Sequence, residues 1–435
     1  MKTASMLWLG IFCLLSLQTH ASGDVPEDVG EVYEVSARGK LEVGIGAASI
    51  APPWPIEPSY GKQVPTFEFY GPDIEAKALI LKVGELEVLL VACDVIGVRA
   101  SEGECIKERV QEETDIPKEH IILAATHNHS YPRTYRQRVR DWLAGQVVEA
   151  VKMAKERTFE ARVGFGIGTL PERLTVNRHR TVGGFVNTRV YVGRIEDVQG
   201  NLRAILFNFG SHPNIFTTSW GPDLVGKFGP GWPGYARKYI ELVENGRMLF
   251  SQYEEGRPYY DLFTLFTLGA AGDQQPSLEL DEIDGVKVPP NKAFVLALSQ
   301  EVMRMADNIR TESDVRMTFR WKVVELPLRE EAEREPRTLI QALILDDTAI
   351  GVIPGELTAE LGAKFEERAG HKYSFVITVA NDAVGYLTSE AEAYEGITYE
   401  AKGSPFGPQR GKIVLDEVIG LVNPEYTPGP PLDPD

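Results

Sequence analysis

Cysteine is scarce in this sequence of 435 residues: three occur, and Cys13 falls in the leading apolar segment. Cys93 and Cys105 alone cannot build a disulfide framework. Cys93, inside the apolar run VLLVACDV, reads as a small core residue. Positive charge is also in deficit, with 45 Lys and Arg against 63 Asp and Glu for a formal net charge of −18. That balance excludes a nucleic-acid partner, which demands basic surface, and offers no attraction to anionic lipid. Beyond the N-terminus no apolar stretch approaches the roughly 20 residues that a transmembrane segment requires. Internal repeats, low-complexity blocks and Gly/Ser linkers are missing too, so nothing divides the chain.

Lys2, the apolar run MLWLGIFCLLSL and the small residue Ala21 follow the order of a secretory signal. Residues 1–21 are therefore expected to be a signal peptide and the protein to be secreted or periplasmic. A polar lead-in over 22–40, a single domain over 41–422 and a Pro-rich tail over 423–435 complete the expected organisation. AKALILKV, the Gly84-Glu85 turn and LEVLLVACDV read as a hairpin whose second strand is buried on both faces. A helix over 101–114 and a strand over 119–127 then make a βαβ unit, whose right-handed crossover puts the strand ends on one edge. Ligands gather at such edges, where Asp94, His127 and His129 fall. Further strands are expected at 160–169, 188–197, 202–209, 262–268, 316–328, 338–345 and 348–353, with helices near 137–157, 291–310 and 358–369. The fold class is α/β, with mixed β-sheets flanked by helices. The Gly/Pro/Trp-rich segment 217–238 reads as a binding loop or lid.

Thr126-His127-Asn128-His129 directly follows an apolar strand, and His212 ends another in NFGSHPN. Such histidines are either metal ligands or ordinary surface residues. Glu356, in GVIPGELTAE, projects from the same kind of edge; as a residue opening a helix it would equally be favoured by the helix dipole. GAAGDQQP permits close backbone approach after the strand LFTLFTL, and Asn381 and Tyr386 lie just past FVITVA.

In this order the segments GAASIAPP, ATHNHS, the Asn177-Arg178 pair, FNFGSHPN, GAAGDQQP, IPGE and NDAVGYLTSEAEAYEG resemble the neutral ceramidase family, zinc amidases that split ceramide into sphingosine and fatty acid. The resemblance covers most of the catalytic domain and implies that domain's fold. It implies one zinc ion per chain, held by His127, His212, Glu356 and Tyr386. His129 or Asp273 would take a proton from water, or Asp273 would orient a ligand histidine, and zinc and Arg178 would hold the oxyanion. Asn177, Trp220, Trp232 and Asn381 are expected at the substrate. No second cluster of ligand residues is evident in the sequence.

Gln275 stands where family ceramidases have a serine with an assigned catalytic part, and an amide cannot be acylated as a nucleophile. With the sequence ending soon after the catalytic motifs, the family's C-terminal module is expected to be lacking. The expected activity is therefore metal-assisted hydrolysis of an amide or ester in a small-molecule, lipid or acylated-sugar substrate. Two alternatives stand beside it: a zinc-containing binding protein without turnover, and a true ceramidase or N-acyl lipid amidase.

Overall fold

The structure, a computed structural model, describes residues 28–55, 57, 70–179, 184–216, 227–254, 260–330 and 332–432. The expected signal segment lies outside them. In chain order the strands are β1 (Tyr33–Ser49), β2 (Glu75–Val83), β3 (Leu86–Cys93), β4 (Ile121–Ala125), β5 (Phe159–Thr169), β6 (Thr175–Asn177), β7 (Arg189–Asp197), β8 (Leu202–Phe209) and β9 (Phe263–Leu268). They continue with β10 (Gln274–Pro276), β11 (Glu282–Ile283), β12 (Val286–Lys287), β13 (Asp314–Glu325), β14 (Arg337–Leu345), β15 (Thr348–Val352), β16 (Glu356–Leu357), β17 (Tyr373–Ile377) and β18 (Tyr386–Leu387). The helices are α1 (Ala100–Thr114), α2 (Gln137–Glu156), α3 (Gly231–Glu254), α4 (Pro290–Asn308), α5 (Ala359–Arg368), α6 (Glu390–Glu395), α7 (Tyr399–Lys402) and α8 (Arg410–Val422).

The sheet branches at β1. Tyr33 to Lys40 pair with β13, Leu41 to Ser49 pair with β2, and Leu41 to Val43 also pair with β5. The irregular lead-in expected over 22–40 is thus strand from Tyr33 onward. Its alternation is the reason: Tyr33, Val35 and Ala37 pack against an inner core, while Glu34, Ser36 and Arg38 face outward. The main path runs β17-β15-β14-β13-β1-β5-β7-β8-β9, with β2, β3 and β4 attached to β1.

Three cores give the layers. The inner core collects one face of strands from both limbs, including Val43, Leu79, Leu206, Phe319, Ile350 and Phe375. A second joins the outer face of one limb to α1, α2, α3 and α4, through residues such as Leu143, Trp232 and Phe294. A third joins the opposite limb to α5 and α8 through Phe365, Val414 and Val418. Helices therefore flank a sheet folded on itself, as the α/β reading requires. The contact is tight where α2 crosses β1: a Cβ added to Gly46 would stand 2.1 Å from the Ala150 carbonyl.

Three parallel pairs, β3 with β4, β8 with β9 and β15 with β17, direct their carboxyl ends to one edge. The segments that follow are 126–131, 210–216, 269–274, 353–357 and 378–387. Among the described residues no helix is long and apolar enough to cross a membrane.

Candidate metal centre

His127 lies two residues beyond β4, at φ 62°, a left-handed conformation that costs a non-glycine residue about 1–3 kcal/mol. Its neighbours fix it there. The N–H groups of Thr126 and Asn128 donate to the carbonyls of Cys93 and Val95, each at 2.9 Å. The Thr126 hydroxyl donates to fully buried Asp94 at 3.0 Å, and Arg237 donates to both Asp94 oxygens at 2.9 and 2.6 Å. His127 Nδ1 stands 2.6 Å from the Ile96 carbonyl, which can only accept, so Nδ1 carries the proton and Nε2 is left as a ligand atom.

His212 is positioned by its own backbone, whose N–H donates to Gln274 O at 2.8 Å and whose carbonyl accepts from Trp232 Nε1 at 3.3 Å. The rings of His127, His129 and His212 stand edge to face, with centroids 4.6 to 4.9 Å apart and planes 82° to 88° from one another. Their ligand nitrogens lie within 4.8 Å of one another. His129 is the more open of the three, the other two being buried.

Glu356 begins β16, which pairs in parallel with β18 and sets Glu356 opposite Tyr386. A Cβ at Gly272 would meet the Glu356 carbonyl at 2.6 Å, so only glycine lets the Gly269–Asp273 turn lie against this strand. Glu356 Oε2 is 3.3 Å from His127 Nε2, yet it is buried with no hydrogen-bond partner. A bare carboxylate oxygen against His127, and two further imidazoles clustered with that ring, make a donor set that suits a transition-metal ion such as zinc. The buried residues therefore fit a metal.

The electrostatics agree. Burial holds His129 and His212 well below the ordinary histidine range, reinforced by Arg178 and the other imidazoles, so both are neutral, as metal ligation requires. Burial opposes ionisation of Glu356, but His127, Arg178 and Tyr386 outweigh it and keep its carboxyl below the usual range. Burial, then Glu356, pushes the Tyr386 phenol upward, which a cation would oppose.

Arg178 follows β6, with its N–H on Asp273 O at 2.7 Å. One guanidinium nitrogen is 2.7 Å from Gly272 O and 2.6 Å from His212 Nδ1, while Ala271 O is 3.3 Å from the same Nδ1. Guanidinium only donates, so in this geometry Nδ1 accepts; a metal on Nε2 would instead make Nδ1 donate to Ala271 O and leave Arg178 to Gly272 O.

The other expected residues divide. Asn177 and Asp273 come beside Arg178 but bond to each other at 2.6 Å. Asn177 also donates to Phe185 O at 2.9 Å and accepts from His179 N at 2.8 Å, and Asp273 accepts from Ala359 N at 2.7 Å. These bonds fix the strand-end loops, and Asp273, raised chiefly by burial, spends both oxygens on them. Gln275 sits on β10 with its side-chain oxygen 3.2 Å from Asn214 Nδ2. Two of the residues expected at the substrate are enclosed. Trp232 is fully buried in the first turn of α3 among Phe209, Phe266 and Phe294, because a helix accepts proline in its opening turn and the Gly/Pro-rich stretch folds as one there. Asn381 is likewise enclosed, accepting from Leu123 N at 3.1 Å and donating to Gln341 at 2.7 Å. Trp220 lies outside the described residues.

Sequence reasoning missed Arg410, fully buried on α8, which donates to the carbonyls of Tyr386, Gly407 and Ala401 at 2.7, 3.1 and 3.1 Å and so anchors β18. It also missed His179, Glu392 and Glu400, which form a second cluster of ligand residues where none was expected. Their wide spacing in the sequence gave no signal.

A layered α/β fold with histidines and a carboxylate at its strand ends defines the class, the neutral ceramidase fold. The solved structure of neutral ceramidase from Pseudomonas aeruginosa matches with a TM-score of 0.72 and 15% identity, covering 91% of this chain and 77% of that one. A structure described as ceramidase complexed with C2 matches with a TM-score of 0.69 and 14% identity, covering 91% and 78%. No protein-family model and no curated protein matches the sequence.

Proposed function

We propose that the chain is a zinc-dependent hydrolase of the neutral ceramidase-like superfamily that cleaves an amide or ester bond. One observation carries the proposal: three mutually perpendicular imidazoles cluster together, and a buried Glu356 oxygen without a hydrogen-bond partner stands 3.3 Å from one of them, at His127 Nε2. His127, His212, Glu356 and Tyr386 would hold the ion. When bound, zinc supplies Lewis-acid polarisation and lowers the pKa of water to about 7. His129, kept neutral by burial and more open than its neighbours, would accept a proton from the attacking water. Arg178, steadied by Gly272 O, donates to the carbonyl oxygen as it gains charge, a role worth about 3–4 kcal/mol in comparable hydrolases. Asn177 and Asp273 keep that arginine in register.

Gln275 favours direct attack by water over an acyl-enzyme, and with it an acyl compound smaller or more polar than long-chain ceramide. Export to the outside or the periplasm is part of the same reading and rests on residues 1–21. Hydrolysis of ceramide, acylated sugars, lactones and simple N-acyl amides should be compared before and after chelation. Chelator-sensitive turnover restored by zinc is expected. Zinc-loaded protein that turns over none of them would favour a binding role, and ceramide preferred by tenfold or more would overturn the substrate reading.

A further inference from the structure

Beside the histidine centre, His179, Glu392 and Glu400 converge from three separate segments. We propose that these three side chains form a second divalent-cation site. His179 Nε2 is 3.0 Å from Glu400 Oε2 and 3.6 Å from Glu392 Oε1. Zinc binds imidazole nitrogen and carboxylate oxygen at about 2.0–2.2 Å, so ligands around a tetrahedral ion stand roughly 3.4 Å apart. The gap is therefore sized for an ion.

Charge and hydrogen bonding point the same way. Glu400 is 1% exposed, yet neither of its oxygens has a hydrogen-bond partner, and His179 Nε2 is buried and unpartnered as well. Glu392 Oε1 accepts from the Thr398 hydroxyl at 2.6 Å, which fixes that carboxylate toward the cluster. Arg178 Nη1, 3.5 Å from Glu400 Oε1, is the nearby cation. His179 faces one Glu400 oxygen and Arg178 the other, neither with hydrogen-bond geometry, whereas buried carboxylates ordinarily collect several donors. A divalent ion satisfies both glutamates at once. Its imidazole and carboxylate ligands suit zinc or manganese. Arg410 holds the backbone on which Glu400 stands, donating to the Glu400 and Ala401 carbonyls at 3.3 and 3.1 Å, so the carboxylate is set before any ion arrives.

Occupancy would draw Glu400 away from Arg178 and link the second ion to the group that meets the substrate. The test is elemental analysis after equilibrium dialysis of the full chain against Zn2+. The wild type should hold two equivalents; Glu400→Gln and His179→Ala should each hold one, and His212→Ala should hold one. Glu400→Gln keeps the shape of the side chain, and its circular dichroism and urea midpoint are recorded to establish that it folds. Two results overturn the second site: one equivalent in the wild type that His212→Ala abolishes, or two equivalents retained by both Glu400→Gln and His179→Ala. Failure of the histidine centre reads differently, as His212→Ala retaining the wild-type count.

Discussion

Asp94 and Arg237 offer a perturbation whose cost can be worked from their surroundings. Both are almost fully buried, at 0% and 2% exposure. Asp94→Ala strands the guanidinium in the core, and breaking a buried pair in this way costs about 3–5 kcal/mol. The Thr126 hydroxyl and the Glu75 N–H also lose their acceptor, adding roughly 1 kcal/mol each. Glu75, 3.7 Å from Arg237, recovers a little, so the expected loss is about 5 kcal/mol in urea unfolding of the metal-free protein. The double variant Asp94→Leu/Arg237→Met removes both charges and should recover most of that loss, because a buried pair contributes little beyond an apolar replacement. A single-variant loss below about 1 kcal/mol, or a double variant no more stable than Asp94→Ala, would refute the reasoning.

Arg178→Met should retain metal while losing about 100-fold or more in kcat, and Gln275→Ala should cost less; rapid-mix assays should show no burst. Arg410→Met should leave the carbonyls of Tyr386, Gly407, Glu400 and Ala401 without their donor and lower stability by about 3 kcal/mol or more by urea titration. In the chelated protein His120, His129 and His212 all titrate below their ordinary value, chiefly through burial. The unfolded chain then binds protons first, so stability should be undiminished above pH 6.5. It should fall as pH drops from 6.5 toward the depressed folded values, by up to about 1.4 kcal/mol per histidine per pH unit. Unfolding free energies measured from pH 8 to 5 check this, and stability rising toward pH 5 would contradict it.

The main strands were legible because their apolar runs are long and bounded by Gly, Pro and Asp, and the βαβ pattern alone puts Asp94 and His127 on one edge. Glu356 and Tyr386 each stood out by position just past an apolar strand, but nothing local showed that they meet, since the β16 and β18 pairing that brings them together joins residues 30 positions apart, two strands of two residues each. Trp232 misled because Pro and Gly at a helix start look like a loop, and α8 was overlooked although Val414, Leu415, Val418, Ile419, Leu421 and Val422 carry a helical period. Arg410 and Glu400 bear no local pattern: each matters for what distant backbone or side chains bring to it.

The most direct measurement is anomalous scattering at the zinc edge from crystals of the zinc-loaded protein. The account predicts a peak bounded by His127 Nε2, His212 Nε2, the Glu356 carboxylate and the Tyr386 oxygen, with His129 alongside. Zinc density elsewhere in the molecule and none among these residues would contradict it.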